Sequence, residues 1–171
     1  MAILIKTERC FLKELNENDD LKRYLYWMQT PSNNPFIKSS NVNYNLLRLK
    51  DFIVRCNNQN TVVLLGIYTN EKSLHIGNIK FDEIDLVKKS AMLGILIGDK
   101  DFRGKGIARE VILDSVLWLA NKYKIYTVKL SVDPNNLGAL NLYQSLGFEI
   151  IEKSTSSGYT MTINSTKLIG N

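Results

Sequence analysis

Between residues 90 and 132 the chain changes its hydrophobic period twice. Residues 90–98 form a short apolar run of strand length, in which Ile95-Leu96-Ile97-Gly98 reads by composition as fully buried, and Asp99, Lys100, Asp101 and the glycines after them break it. Residues 106–121 then take a helical spacing in which Ala108, Val111, Ile112, Ser115 and Leu119 share one face, and residues 126–132 return to strand character. Strand, loop, helix, strand in that order is a right-handed crossover joining two parallel neighbours. Its loop lies at the carboxyl end of the first strand, where open α/β sheets bind ligands.

The rest of the chain supplies strands and helices to surround that unit. Residues 3–15 predict a first strand, followed by Asn16-Glu17-Asn18-Asp19-Asp20, whose side chains suit a helix cap over 21–28; Pro31 and Pro35 end that helix. Leu46, Leu47, Leu49, Phe52 and Ile53 recur at helical spacing in a second helix over 44–56. Residues 61–68, 75–82 and 90–98 read as a meander of three strands. After the crossover, a helix over 136–146 stops at Gly147, and strands over 148–153 and 159–166 complete the pattern. With 171 residues and no repeat, residues 1–171 are expected to form one domain around one core.

Composition excludes several function classes. The longest apolar runs, 62–67 and 91–98, are too short to span a membrane, and the opening MAILIKTERC lacks the apolar core of a secretory signal; a cytoplasmic protein with no membrane partner is the expectation. Two cysteines without CxxC spacing, Cys10 and Cys56, and a single histidine, His75, predict no metal site, no disulfide and no covalent hydrolase. The net charge of +5 is too diffuse to announce nucleic acid.

The charge matters where it is concentrated, in Asp101-Phe102-Arg103-Gly104-Lys105-Gly106-Ile107-Ala108-Arg109-Glu110. Glycines leave backbone amides unshielded, and the first amides of a helix have no partner within it. Gly104 and Gly106 at a helix start therefore offer a cradle of N–H groups, with Arg103 and Lys105 adding positive charge: a site for phosphate or pyrophosphate. The pattern GxxxxGK[ST] is absent, and a dinucleotide fingerprint begun at Gly104 fails at Arg109, where it needs its third glycine.

What remains, Arg103-Gly104-Lys105-Gly106-Ile107-Ala108, follows [RQ]xxGx[GA] between a strand and a helix, and Asn136 to Phe148 follows NxxAxxLYxxxGF. Together these segments resemble the GNAT N-acetyltransferases. Residues 7–13 with 24–28 resemble the opening of the branch that includes the ribosomal-protein N-terminal acetyltransferases. The resemblance implies an α/β fold: a single GNAT-type domain whose mixed, mostly antiparallel sheet has a central parallel pair splayed for acetyl-CoA, flanked by about four helices. It implies that the amides from Gly104 through Lys105, Gly106, Ile107 and Ala108 to Arg109, with Arg103, hold the pyrophosphate of acetyl-CoA. Backbone groups of Leu96, Ile97 and Gly98 would meet pantetheine and polarise the thioester carbonyl, with Gly94 and Gly98 marking a bulge that opens the sheet. Asn136, also a natural helix cap, would touch the pantetheine arm. Tyr143 would be the general acid that assists departure of the thiolate.

The resemblance stops at the base. Met92 stands where related sequences often carry an acid, so deprotonation of the amine falls to another side chain, to water, or to solvent before binding. Asp82, Glu83 and His75 are the nearest candidates by strand order. Tyr24, Tyr26, Trp27 and Phe36 lie in the segments that flank the acceptor site in such folds. Residues 76–81, IGNIKF, and 94–100, GILIGDK, resemble members associated with surface-sugar synthesis. The implied partner is a small-molecule amine, in particular a nucleotide-linked amino sugar, against the alternative of an α-amino group of a protein or amino acid. A non-catalytic nucleotide or nucleic-acid binder is the rival from another class; Phe102 alone for stacking and the lack of a basic stripe argue against it. Both a monomer and a homodimer paired through residues 159–166 fit the sequence.

Overall fold

Strands β1 (Leu4–Lys6), β2 (Cys10–Glu14), β3 (Val63–Thr69), β4 (His75–Asp85), β5 (Ser90–Ile97), β6 (Thr127–Val132), β7 (Glu149–Ser154) and β8 (Gly158–Asn164) make one sheet in the order β1-β2-β3-β4-β5-β6-β8-β7. The structure is a computed structural model and describes residues 3–37, 42–154 and 158–169. Helices α1 (Lys22–Gln29), α2 (Leu46–Asn57), α3 (Ile107–Tyr123), α4 (Leu137–Ser145) and the single turn α5 (Thr166–Ile169) accompany the sheet. Among the described residues no helix is long and apolar enough to cross a membrane.

The predicted crossover is present: β5 and β6 are parallel, joined through α3, while the other neighbours in the sheet are antiparallel. Their pairing is short. It covers Ser90↔Thr127, Ala91↔Val128 and Met92↔Lys129, after which β5 continues against β4 as far as Gly77↔Ile97 and β6 continues against β8 as far as Val132↔Tyr159. Past Met92 the two central strands therefore part into a V.

Alternation along the strands divides the apolar side chains between the two faces. Ile79 and Phe81 of β4 pack with Val111, Ile112, Val116 and Leu119 of α3 on one side. On the other, Leu64 and Tyr68 of β3 pack with Tyr24 and Trp27 of α1 and Leu49 and Ile53 of α2.

Several local expectations are corrected. The single strand over 3–15 is a hairpin, because Thr7 N donates to Cys10 O (2.8 Å) and turns the chain between β1 and β2. Helix α1 starts one residue later than predicted, at Lys22, whose amide donates to the Asp20 side chain (3.2 Å) as expected of this segment, while Asp19 accepts from Asn16 N (2.9 Å) and Lys13 Nζ (3.0 Å), closing the turn before the helix. Helix α2 starts at Leu46, two residues later than predicted, where the Asn45 side chain accepts from Arg48 N (2.9 Å). No bulge lies at Gly94, which pairs regularly with Lys80; the shift in the β4–β5 register is at Asp82/Asp85. Gly98 lies past the end of β5 under Trp27, so close that a Cβ there would sit 2.0 Å from Trp27 Cδ2.

Candidate active site

The glycine loop starts from a short 3₁₀ turn, Lys100–Phe102, capped by the Asp99 carboxylate on Asp101 N (3.0 Å). Gly104 (φ 68°) and Gly106 (φ 79°) then take the left-handed conformation that glycine adopts at least cost. Gly106 is the N-cap of α3, whose first ladder bond runs from Glu110 N to Gly106 O (3.2 Å). The amides of Ile107, Ala108 and Arg109 thus precede the ladder, at the positive end of the helix dipole. A Cβ at Gly104 would meet nothing within 4 Å, so the space over the loop is open.

The loop is fastened from the far end of the chain. Glu110 accepts from Thr7 Oγ1, from Arg9 N (2.7 Å) and from Arg9 Nε (2.7 Å), while Arg9 Nη1 donates to Lys105 O (2.7 Å). Burial pushes the Glu110 carboxyl up, but the bonds from Thr7 and Arg9 outweigh it and hold the group below the ordinary carboxylate range. An anchored carboxylate in the first turn also suits the helix dipole.

The basic side chains of the loop also make contacts within the chain. Arg103 donates from Nε to Ile97 O (2.8 Å) and from Nη2 to Gly98 O (3.0 Å) and Asn34 Oδ1 (2.6 Å). Its guanidinium therefore clamps the end of β5 to the turn after α1 instead of facing open solvent above the loop. Arg109 bridges α3 to α4 through Ser145 Oγ (3.0 Å), and the Lys105 ammonium lies 5.9 Å from the Phe102 ring centre.

A cleft of about 450 Å³ runs through the V between β5 and β6. On one side it is lined by Ser131, Val132 and Asp133 from the end of β6 and by Asn136, Ala139 and Tyr143 at α4. Leu93, Gly94, Ile95 and Leu96 of β5 form its middle. On the other side stand Tyr24, Met28, Phe36, Ile37, Tyr44, Phe52 and Leu64, with Asn78 and Lys80 of β4. Ile95, Leu96 and Ile97, expected to be fully buried, are only half-buried, because past Met92 the cleft replaces β6 beside them.

Of the predicted site residues, the cleft brings together Leu96, Asn136 and Tyr143. Asn136 also caps α4 by accepting from Ala139 N (3.2 Å). Tyr143 is buried, its ring 5.8 Å from that of Phe148, and burial pushes its phenol up to about 12. Ile97, Gly98 and residues 103–109 are not among the cleft's lining residues; the loop follows the end of β5, beyond the point where the two strands part.

None of the three base candidates lines the cleft. His75 is buried in an aromatic box, 4.8 Å from the Tyr68 ring and 5.1 Å from Trp27, with Nε2 2.8 Å from Asn78 Oδ1. Its burial outweighs the bond to Asn78, lowers its pKa and leaves the imidazole neutral at pH 7. Asp82 is paired with Lys80 (2.5 Å) and faces, with Glu83, a neighbouring cavity. Among the described residues the one carboxylate lining the cleft is Asp133, which accepts from Asn135 N (2.8 Å) and Nδ2 (3.0 Å).

Tyr24 and Phe36 line the cleft as the early aromatic residues were expected to, whereas Tyr26 and Trp27 border a separate cavity beside Gly98. Lys80, Tyr44 and Phe52 are lining residues the sequence reading did not single out. A signal for Lys80 was present: Asn78, Lys80 and Asp82 alternate with Ile79 and Phe81, which puts a polar face on an otherwise apolar strand.

A family model described as an acetyltransferase (GNAT) domain matches residues 9–149. A probable spermine N(1)-acetyltransferase of Bacillus subtilis subsp. natto is 37% identical over 51 residues, which is 30% of this chain and only 34% of that relative. The fold is shared with the spermidine N-acetyltransferase from Vibrio cholerae in complex with CoA and spermine (TM-score 0.83, 18% identity, 95% of this chain and 99% of that one). It is shared also with a GNAT-family acetyltransferase from Bacillus anthracis (TM-score 0.80, 13% identity, 96% and 99%).

Proposed function

This chain belongs to the GNAT acetyltransferase family, and from that premise we propose that it transfers acetyl from acetyl-CoA directly to a primary amine of a small molecule. The observation that carries the reading is the V-shaped cleft, open from the α4 side to the α1 and α2 side, with a glycine loop and helix start following the strand that forms its middle. The residues fit the co-substrate. Amides from Gly104 to Arg109 would hold the pyrophosphate, with the room over Gly104 admitting it. The backbone at Leu96, Ile97 and Gly98, beyond the paired part of β5, would meet the pantetheine amides, with Asn136 on the opposite wall. Bound there, acetyl-CoA supplies an acyl carbon activated as a thioester.

The chain's own work is electrostatic and positional. A backbone N–H from the open stretch of β5 stabilises charge developing on the carbonyl oxygen, the kind of preorganised donor that contributes most in acyl transfer. The Tyr143 hydroxyl donates a hydrogen bond to the departing sulfur. Met92 accepts no proton, His75, Asp82 and Glu83 lie off the cleft lining, and Asp133, which is on it, is engaged by two bonds from Asn135, so the amine gives up its proton to water. On this account kcat/KM rises with pH along the titration of the acceptor amine itself, toward ~10 for an ordinary alkyl amine.

The acceptor we favour is a nucleotide-linked amino sugar, supported by the resemblance of residues 76–81 and 94–100 to members associated with surface-sugar synthesis. A polyamine is the second reading, favoured by the local likeness to a spermine acetyltransferase. Release of free thiol from acetyl-CoA with a UDP-linked amino sugar, spermine and N-terminal peptides, with mass spectrometry of each product, tests both. Acetylated amino sugar supports the first reading; acetylated spermine alone replaces it with the second; a failure to release thiol with any amine removes the catalytic reading.

A further inference from the structure

We infer that the acceptor end of the cleft takes a primary amine that also carries an anionic group, with Lys80 receiving the anion and Gly94 keeping the slot beside it open. The inference rests on the acetyltransferase reading and adds to it the charge of the substrate. Lys80 and Gly94 are direct partners across β4 and β5, and both line the cleft. In register with them, Asn78 faces Leu96 and Asp82 faces Met92, so these pairs share the sheet face covered by α1 and α2.

Gly94 has no conformational need to be glycine. Among the described residues the left-handed glycines are Gly104, Gly106, Gly147 and Gly158, and a Cβ built on Gly94 would meet nothing within 4 Å. Within a strand, glycine sacrifices stability and commonly marks close approach by a ligand. The room left at Gly94 belongs to the cleft, and Lys80 stands at its side.

The polar groups there select against a polycation. Besides its partner Asp82, Lys80 has the Phe52 ring centre 6.0 Å from Nζ, and Tyr44 and Phe36 add aromatic surface to the same cleft. Lys80 carries three N–H donors, of which the bond to Asp82 uses one. Asp133, the carboxylate on the lining, belongs to the α4 side and already accepts two bonds from Asn135. Several ammonium groups would thus face Lys80 with only Asp82 and Asp133 to offset them, each already bonded to a neighbour, whereas a phosphate or carboxylate would gain a charge-assisted bond from the remaining Lys80 donors. Phosphate and carboxylate are the two sources of that chemistry.

The test measures thiol release by the wild type and by Lys80→Arg, Lys80→Met, Lys80→Met with Asp82→Asn, and Gly94→Val. The double variant leaves no unpaired acid behind. The probes are a UDP-linked amino sugar for phosphate, a panel of free amino acids for carboxylate, and spermine; acetyl-CoA binding is followed by calorimetry. We expect turnover of one anionic class in preference to spermine. KM for it should rise at least about tenfold in both Lys80→Met proteins and recover in Lys80→Arg. In Gly94→Val, kcat/KM should fall at least about tenfold while the Kd for acetyl-CoA stays within about twofold. Preference for spermine, a double variant that matches the wild type, or acetyl-CoA binding with turnover of none of the probes overturns the inference and leaves the cofactor site standing. Failure of the wild type to bind acetyl-CoA defeats the underlying reading instead.

Discussion

Replacing Tyr143 by Phe removes one oxygen from a buried ring and leaves the packing against Phe148 in place. Burial holds this phenol at about 12, whereas an ordinary thiol titrates near ~8.5, so full proton transfer to a leaving thiolate is uphill by ~5 kcal/mol. The hydroxyl therefore contributes as a hydrogen-bond donor to developing negative charge, worth ~1.5–3 kcal/mol. That magnitude corresponds to a loss in kcat of about 10- to 150-fold for Tyr143→Phe, with KM for the amine little changed. Because the phenol stays protonated to high pH, the wild type should show no alkaline fall in kcat assignable to Tyr143 below pH ~11. Stopped assays of thiol release over a pH series, with urea midpoints confirming equal stability, measure both quantities. A variant within about twofold of the wild type, or an alkaline limb near pH 8–9 that vanishes with the hydroxyl, refutes the assignment.

Gly98→Ala should destabilise the fold, because its Cβ would lie 2.0 Å from Trp27 Cδ2 and 2.3 Å from Cε3 in a packed aromatic cluster. A cost of ~1–3 kcal/mol and a Tm lowered by roughly 2–12 °C are expected; calorimetric scans check it, and an unchanged Tm contradicts the packing. Stability should also fall at alkaline pH. Burial raises Tyr143 to about 12 and raises Tyr24 and Tyr68 as well, so above pH ~10 the unfolded chain ionises phenols that the folded chain keeps protonated. The contribution is fully present below pH ~10 and is lost as pH rises toward 12; urea midpoints that stay level through this window contradict it.

The elements that announce themselves in sequence are those whose causes are local. Gly104 and Gly106 mark left-handed turns at a helix start, and the change of period between residues 90 and 132 specifies a crossover, so the loop and the parallel pair were both legible. What stayed hidden depends on partners far along the chain. The hairpin at residues 7–9 is held by Glu110, about a hundred residues on, and Arg103 bonds to Asn34, far back in the chain. An apolar run such as Ile95-Leu96-Ile97 looks alike whether protein or a cleft covers it, so composition assigned full burial to residues that are only half-covered. His75 could have been a base on residue type alone; only the aromatic rings around it show that it is locked in the core.

The claim on which the rest depends is that the amides around Gly104 and Gly106 grip a pyrophosphate. Titration of acetyl-CoA into the wild type and into Gly104→Ala with Gly106→Ala tests it, since alanine at φ 68° and 79° is strained by ~1–2 kcal/mol per residue and pulls the cradle out of shape. One-to-one binding by the wild type, weakened at least about tenfold in the double variant while 3′-dephospho-coenzyme A still binds the wild type, is the predicted result. Equal affinity for the two proteins, or no heat with either, contradicts it.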